Sequence, residues 1–148
     1  MGVPVSVLLD RKGSALETLP LDATVRDAVE RLTARNIGAI VIEGDEGTLA
    51  GILSERDIVR ELAATGPSIL DVAVSVVMTN DVETCTPDTS TDELMRVMTE
   101  HRVRHIPVVD GAWQLVGVIS IGDVVKWQLD ELSTEAEQLV NYVRGGSY

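Results

Sequence analysis

The chain repeats itself. Residues 16–60, LETLPLDATVRDAVERLTARNIGAIVIEGDEGTLAGILSERDIVR, align with residues 82–126, VETCTPDTSTDELMRVMTEHRVRHIPVVDGAWQLVGVISIGDVVK, at a constant spacing of 66 residues and without a gap. Identical pairs include Glu17/Glu83, Thr18/Thr84, Asp22/Asp88, Gly51/Gly117, Ser54/Ser120 and Asp57/Asp123. The apolar pattern matches more widely than the identities. An internal repeat restricts the fold more than any composition does, because each copy must solve the same packing problem.

Both copies carry the same succession of signals. A short extended segment leads into a helix near Thr24 or Ser90. Ser90-x-x-Glu93 is a capping box, and Thr24-x-x-Asp27 is a weaker one. Val25, Ala28, Val29 and Leu32 recur at helical spacing and define an apolar face, as do Leu94, Met95 and Met98. An apolar strand follows (Ala39–Ile42; Ile106–Val109), then a Gly/Asp turn, a second strand (Leu49–Leu53; Leu115–Ile119) and a second helix after Ser54 or Ser120. The unit is β-α-β-β-α. A hairpin with helices on one face cannot bury both faces alone, whereas two such units packed on each other can. The expected fold is α+β: two repeats in a pseudo-two-fold pair, sheets covered by helices, and a further C-terminal helix. The expected boundaries are 1–75 for the first repeat with its leading segment and connection, 76–128 for the second, and 129–148 for a helical tail. In that tail Leu129, Leu132, Ala136, Leu139, Val140 and Val143 form an apolar stripe that either closes the chain's own core or lies against a partner.

Composition narrows function. The net charge of −12 lacks the extended basic surface that nucleic acid requires and disfavours anionic membrane. A small anion held in one local basic pocket stays open. The single cysteine, Cys85, excludes an internal disulfide and fits a reducing cytoplasm. No signal-peptide pattern and no apolar run long enough to span a membrane is present.

Against that acidity, HRVRHIPVVD (101–110) is the anomaly: both histidines and two arginines lie within five residues. His101 and Arg102 suit the end of a helix, where cations offset its dipole. Arg104 and His105 enter the next strand and suit an anionic ligand, because arginine offers a planar fork to phosphate oxygens. Ser54-x-x-Asp57 and Ser120-x-x-Asp123 each open a helix. Capping explains them, and a carboxylate fixed at such a turn can also accept hydrogen bonds from a ribose diol. Arg56 sits at a helix start, where a cation is mildly unfavourable. An ion pair with Glu55 or Asp57 accounts for it, and so does an anionic partner.

The phrases GILSERDIVREL, VVMTNDVETCTPD, HRVRHIPVVD and LVGVISIGDVV, in this doubled order, resemble a tandem pair of CBS domains, the regulatory module named after cystathionine β-synthase. The resemblance covers roughly residues 7–127 and is nearest to stand-alone bacterial CBS-pair proteins. It implies adenosine-containing ligands (AMP, ADP, ATP, NAD or S-adenosylmethionine) in clefts between the repeats, and association into a homodimer. It also implies ribose contacts at Asp57 with Ser54 and at Asp123 with Ser120, and phosphate contacts at Arg104, His105 and Arg56. The clefts of the family are crossed. Asp123 is therefore expected beside Lys12–Glu17 (Gly13 and Glu17 included) and Ile37, and Asp57 beside Thr79, Val82, Glu83 and Val103. Ile37 and Val103 would face the adenine. Gly38 and Ala39 stand where the second copy has Arg104 and His105, so the two clefts are expected to differ. The fuller one is expected at Asp123 with Arg104 and His105.

An enzyme reading finds little. The helix is expected to end between His101 and His105, no third metal ligand lies nearby, and Cys85 has no histidine beside it. Gly44–Gly51 is a hairpin rather than a phosphate loop. The function expected is a non-catalytic sensor of adenine nucleotides, with no cofactor, that signals to an unknown target protein. The alternative is a structural dimer with vestigial clefts.

Overall fold

The computed structural model describes residues 2–13 and 16–145. Helix α1 spans Val5–Lys12, and the first repeat follows with β1 (Thr18–Pro20), α2 (Val25–Arg35), β2 (Ala39–Glu43), β3 (Leu49–Ser54) and α3 (Glu55–Thr65). A 3₁₀ turn at Pro67–Asp71 and the short α4 (Val74–Val77) lead to the second repeat. That repeat contains α5 (Thr91–His101), β4 (His105–Val109), β5 (Leu115–Ser120) and α6 (Ile121–Val143).

Strand pairing repeats at the spacing of the sequence. Ala39 pairs with Ser54 and His105 with Ser120, and both hairpins shift register before their last pair. In the first repeat β1 adds a parallel edge to β2. In the second, that strand shrinks to a single parallel bridge from Cys85 to Val108. Thr24, Ser54 and Ser120 all cap their helices, with the acid three residues on bonding back to the cap N–H.

The leading segments are exchanged. The stretch before repeat two docks on repeat one: Val25 N donates to Val72 O and Val74 N to Ala23 O. The stretch before repeat one docks on repeat two: Val5 N donates to Thr89 O and Thr91 N to Val3 O. Val5 and Leu8 thereby enter a core with Leu94, Ile106 and Ile119, while Ile69 and Val74 enter one with Leu32, Ile40 and Leu53. Matched glycines permit this. A Cβ on Gly51 would lie 2.7 Å from the Met78 sulfur, and one on Gly117 would lie 2.5 Å from Leu9 Cδ2. A third cluster of Val41, Leu49 and Val109, backed by Val82, Leu115 and Val118, joins the two sheets.

Two elements differ from expectation. Helix α1 was not foreseen, because its apolar residues Val5 and Leu8 bury themselves in the far repeat. The tail from Leu129 is the second half of α6, since nothing between Trp127 and Val143 interrupts a helix.

Candidate functional site

A cavity of about 300 Å³ opens between the repeats at the N-terminus of α3. Ser54 and Asp57 form one wall, Thr79, Asp81, Val82 and Glu83 of the crossing segment another, and the turn Arg102–His105 a third. Asp57 is 6% exposed. Its Oδ2 accepts from Ser54 N and Ser54 Oγ, both at 3.0 Å, and its Oδ1 accepts from Arg60 at 2.7 Å. A carboxylate has about four acceptor positions, so one remains on Oδ1.

Arg56, Arg102 and Arg104 also line this cavity, and none has a carboxylate within ion-pair distance among the described residues. Arg102 is held there by backbone: it terminates α5 in the left-handed conformation (φ 55°), as Asn36 terminates α2 (φ 52°). Gly38 makes room for His105. A Cβ there would meet Glu55 Oε1 at 2.9 Å and His105 Cε1 at 3.3 Å. Burial lowers the His105 pKa, and the Lys12 ammonium lowers it further. Asp123 and Glu55 pull it back up in part, and Arg104 adds to the lowering.

The Asp123 side is differently built. Ser120 N donates to Asp123 Oδ2 at 2.8 Å, and Lys12 Nζ donates to that same oxygen at 2.8 Å and to Val118 O at 2.8 Å. Burial alone would raise the Asp123 pKa, but the bonds from Lys12 and Ser120 outweigh it and hold the carboxyl below its ordinary value. Arg11, one residue before, pairs with Asp130 of α6. Gly13 lines a cavity with Val116 and Val118, and Asp123 lines another, of about 340 Å³, with Arg11, Lys12, Lys126 and Trp127.

The expected residues do not all meet at one site. Ser54, Asp57, Arg56, Thr79, Val82, Glu83 and Val103 come together. Lys12 reaches Asp123, but Ile37 packs on the core of repeat one and Glu17 is taken by Arg31 (2.8 Å) and Arg35 (2.7 Å). Ser14 and Ala15 of that segment lie outside the described residues. Arg104 and His105, expected with Asp123, both line the Asp57 cavity, and His105 also lies close enough to Lys12 and Asp123 to feel their charges. Val103 was assigned to the Asp57 cleft and its two neighbours to the other, yet one tight turn presents them together. Helix α5 does end at His101, which pairs with Glu83 at 3.3 Å. Sequence reasoning missed Arg102 as a cavity residue, although the repeat already aligned it with the helix-ending Asn36. Cys85 is buried, which pushes its thiol up to about 12. Among the described residues no cluster suits a metal ion, and no helix is long and apolar enough to cross a membrane.

Two interlocked units of matching topology around an inter-repeat cleft define a tandem-repeat α+β module. The CBS domain family model matches residues 6–64 and again 72–130, and the chain belongs to that family. It is 40% identical over 129 residues to the mitochondrial CBS domain-containing protein CBSX3 of Arabidopsis thaliana, covering 84% of this chain and 62% of that protein's length. The crystal structure of the CBS-domain containing protein ATU1752 from Agrobacterium tumefaciens superposes with a TM-score of 0.80 at 43% identity, over 85% of this chain and 99% of that one. The CBS domain protein PAE2072 from Pyrobaculum aerophilum, solved in complex with AMP, superposes with a TM-score of 0.73 at 28% identity, over 82% and 89% of the two chains.

Proposed function

We propose that the chain is a non-catalytic sensor that binds an adenine nucleotide (AMP, ADP, ATP or NAD) in the Asp57 cleft. One observation carries this reading: three arginines without carboxylate partners among the described residues, Arg56, Arg102 and Arg104, meet at a cavity with a fixed, buried carboxylate in its wall. Free guanidinium forks suit phosphate oxygens. The open Oδ1 position of Asp57 suits one ribose hydroxyl, and rotation of the Ser54 hydroxyl would free a second. Val82 and Val103 supply apolar surface for the base. The AMP complex of PAE2072 supports the same ligand class.

A ligand that touches Ser54–Asp57 of one repeat and Arg102–Arg104 of the other would favour one arrangement of the pair, and that population shift is the signal. A homodimer in the cytoplasm, acting on a target protein, fits this role. A vestigial-cleft reading has support on the other side of the molecule, where Lys12 already occupies the Asp123 carboxylate.

Thermal denaturation of ligand-stripped protein with AMP, ADP, ATP, NAD and S-adenosylmethionine tests the proposal. A ligand at 100 times its Kd should add about 2.7 kcal/mol. No shift with any of the five would overturn the sensor reading.

A further inference from the structure

Helix α6 has two apolar faces. Val124 and Trp127 form the buried one, against α1 and α5. Three and four residues on, that face turns polar (Glu131, Thr134, Gln138, Asn141). The other face does not. Val125, Leu129, Leu132, Ala136, Leu139 and Val143 follow one another at spacings of 4, 3, 4, 3 and 4, the a/d pattern of a coiled coil with Leu132 and Leu139 at d. This seam points away from the body over its whole length: Leu129 is 59% exposed, Leu132 61%, Leu139 64% and Val143 75%. It also continues past residue 130, where the family match ends. A protruding helix of this length is marginal in water unless something packs on it.

The charge pattern admits a second copy of this chain as the occupant. Asp130, Glu131 and Glu137 sit at the outer b and c positions. In a parallel, in-register pair, the flanking g and e positions set Ile121 against Lys126, Gln128 against Ser133 and Glu135 against Val140 of the partner helix. No like charges meet, although the chain is strongly acidic. An antiparallel pair would instead set Glu135 against its own copy. We propose that residues 125–143 form a parallel two-stranded coiled coil with a second copy of this chain. The seam is about 28 Å long, shorter than three full heptads, so the pairing is modest in strength. It stands independently of the nucleotide reading.

Val143→Cys should form a disulfide-linked dimer under mild oxidation, because position a meets its own copy in a parallel pair and lies at opposite ends in an antiparallel one. Thr134→Cys, at the outer f position, should not, and neither should the wild-type chain, whose Cys85 is buried. Adding Leu132→Asp and Leu139→Asp to the Val143→Cys chain should abolish the cross-link and weaken self-association in sedimentation by about 100-fold or more. Nucleotide thermal shifts should survive in that variant. Absence of the cross-link at 143, or equal cross-linking at 134, would overturn the coiled coil. An absent nucleotide shift with the cross-link intact would overturn only the sensor reading.

Discussion

The two clefts descend from the same repeat, yet they are chemically opposite. At Asp57 the carboxylate is braced from its own helix by Arg60, while three further arginines stay uncommitted. At Asp123 the bracing cation, Lys12, comes from outside the repeat, and the arginine that lines the Asp123 cavity, Arg11, is already paired with Asp130. The motif is shared, so the difference lies in what the exchanged segments bring. The turn of repeat two delivers Arg102, Val103, Arg104 and His105 to the first cleft. Its counterpart in repeat one, Asn36–Ala39, has no cation to deliver. A ligand site in a pseudo-symmetric pair is thus decided by the partner repeat as much as by its own motif.

The sharpest way to break this contrast is to remove each carboxylate. Asp57→Asn should weaken nucleotide binding by about 10- to 100-fold, the range expected for losing charge-assisted hydrogen bonds. Asp123→Asn should leave it nearly unchanged. Equal losses in calorimetric titration would mean that the clefts are equivalent. Arg104→Ala should cost somewhat less, about 10-fold, because Arg56 and Arg102 remain, and the loss should grow with the number of ligand phosphates. A loss of the same size for adenosine would show that Arg104 does not meet phosphate.

Lys12→Met examines the other side. It should lower stability by about 1 kcal/mol, since the pair with Asp123 is only partly buried. It should also remove Lys12's share of the stability that the lowered Asp123 pKa contributes, which is present above the ordinary carboxylate range and lost as pH falls through the folded value. If Lys12 is what closes that cleft, the variant should take up a second nucleotide per chain. Unchanged stoichiometry would locate the asymmetry in the arginines instead, because Arg11 is taken by Asp130.

The smallest expected effect is a pH slope. The folded pKa of His105 lies below its unfolded value near 6.5. The unfolded chain therefore protonates first as pH falls, and stability declines from about pH 6.5 downward. His105→Gln should flatten that decline in denaturant titrations at pH 7.5 and pH 5.5. An anionic ligand beside His105 would raise its pKa, so binding should take up protons, detectable as a buffer-dependent heat.

Much of this was legible in the residues. The constant spacing of 66 correctly foretold matched hairpins, and the Ser-x-x-Asp motifs foretold capping boxes, because both rest on contacts a few residues long or on a pattern written twice. Thr79, Val82, Glu83 and Val103, expected beside Asp57, line its cavity. Long-range placement was less legible: Arg104 and His105 line the Asp57 cavity while His105 also feels Lys12 and Asp123, Ile37 packs on repeat one, Glu17 pairs with Arg31 and Arg35, and α1 carries no local sign of its destination.

Sequence by itself determined the family, the duplicated unit and the chemical types available: acids capped at two helix starts, and a basic turn in only one copy. Only the tertiary structure decided which acid that turn serves, and that Lys12 reaches Asp123 from 111 residues away. It also decided that the Leu129–Val143 stripe faces outward. The physical reason is the same in each case. Caps, strands and helical faces are set by neighbours along the chain, but clefts and free surfaces are set by how two units interlock, and that is a property of packing rather than of any segment.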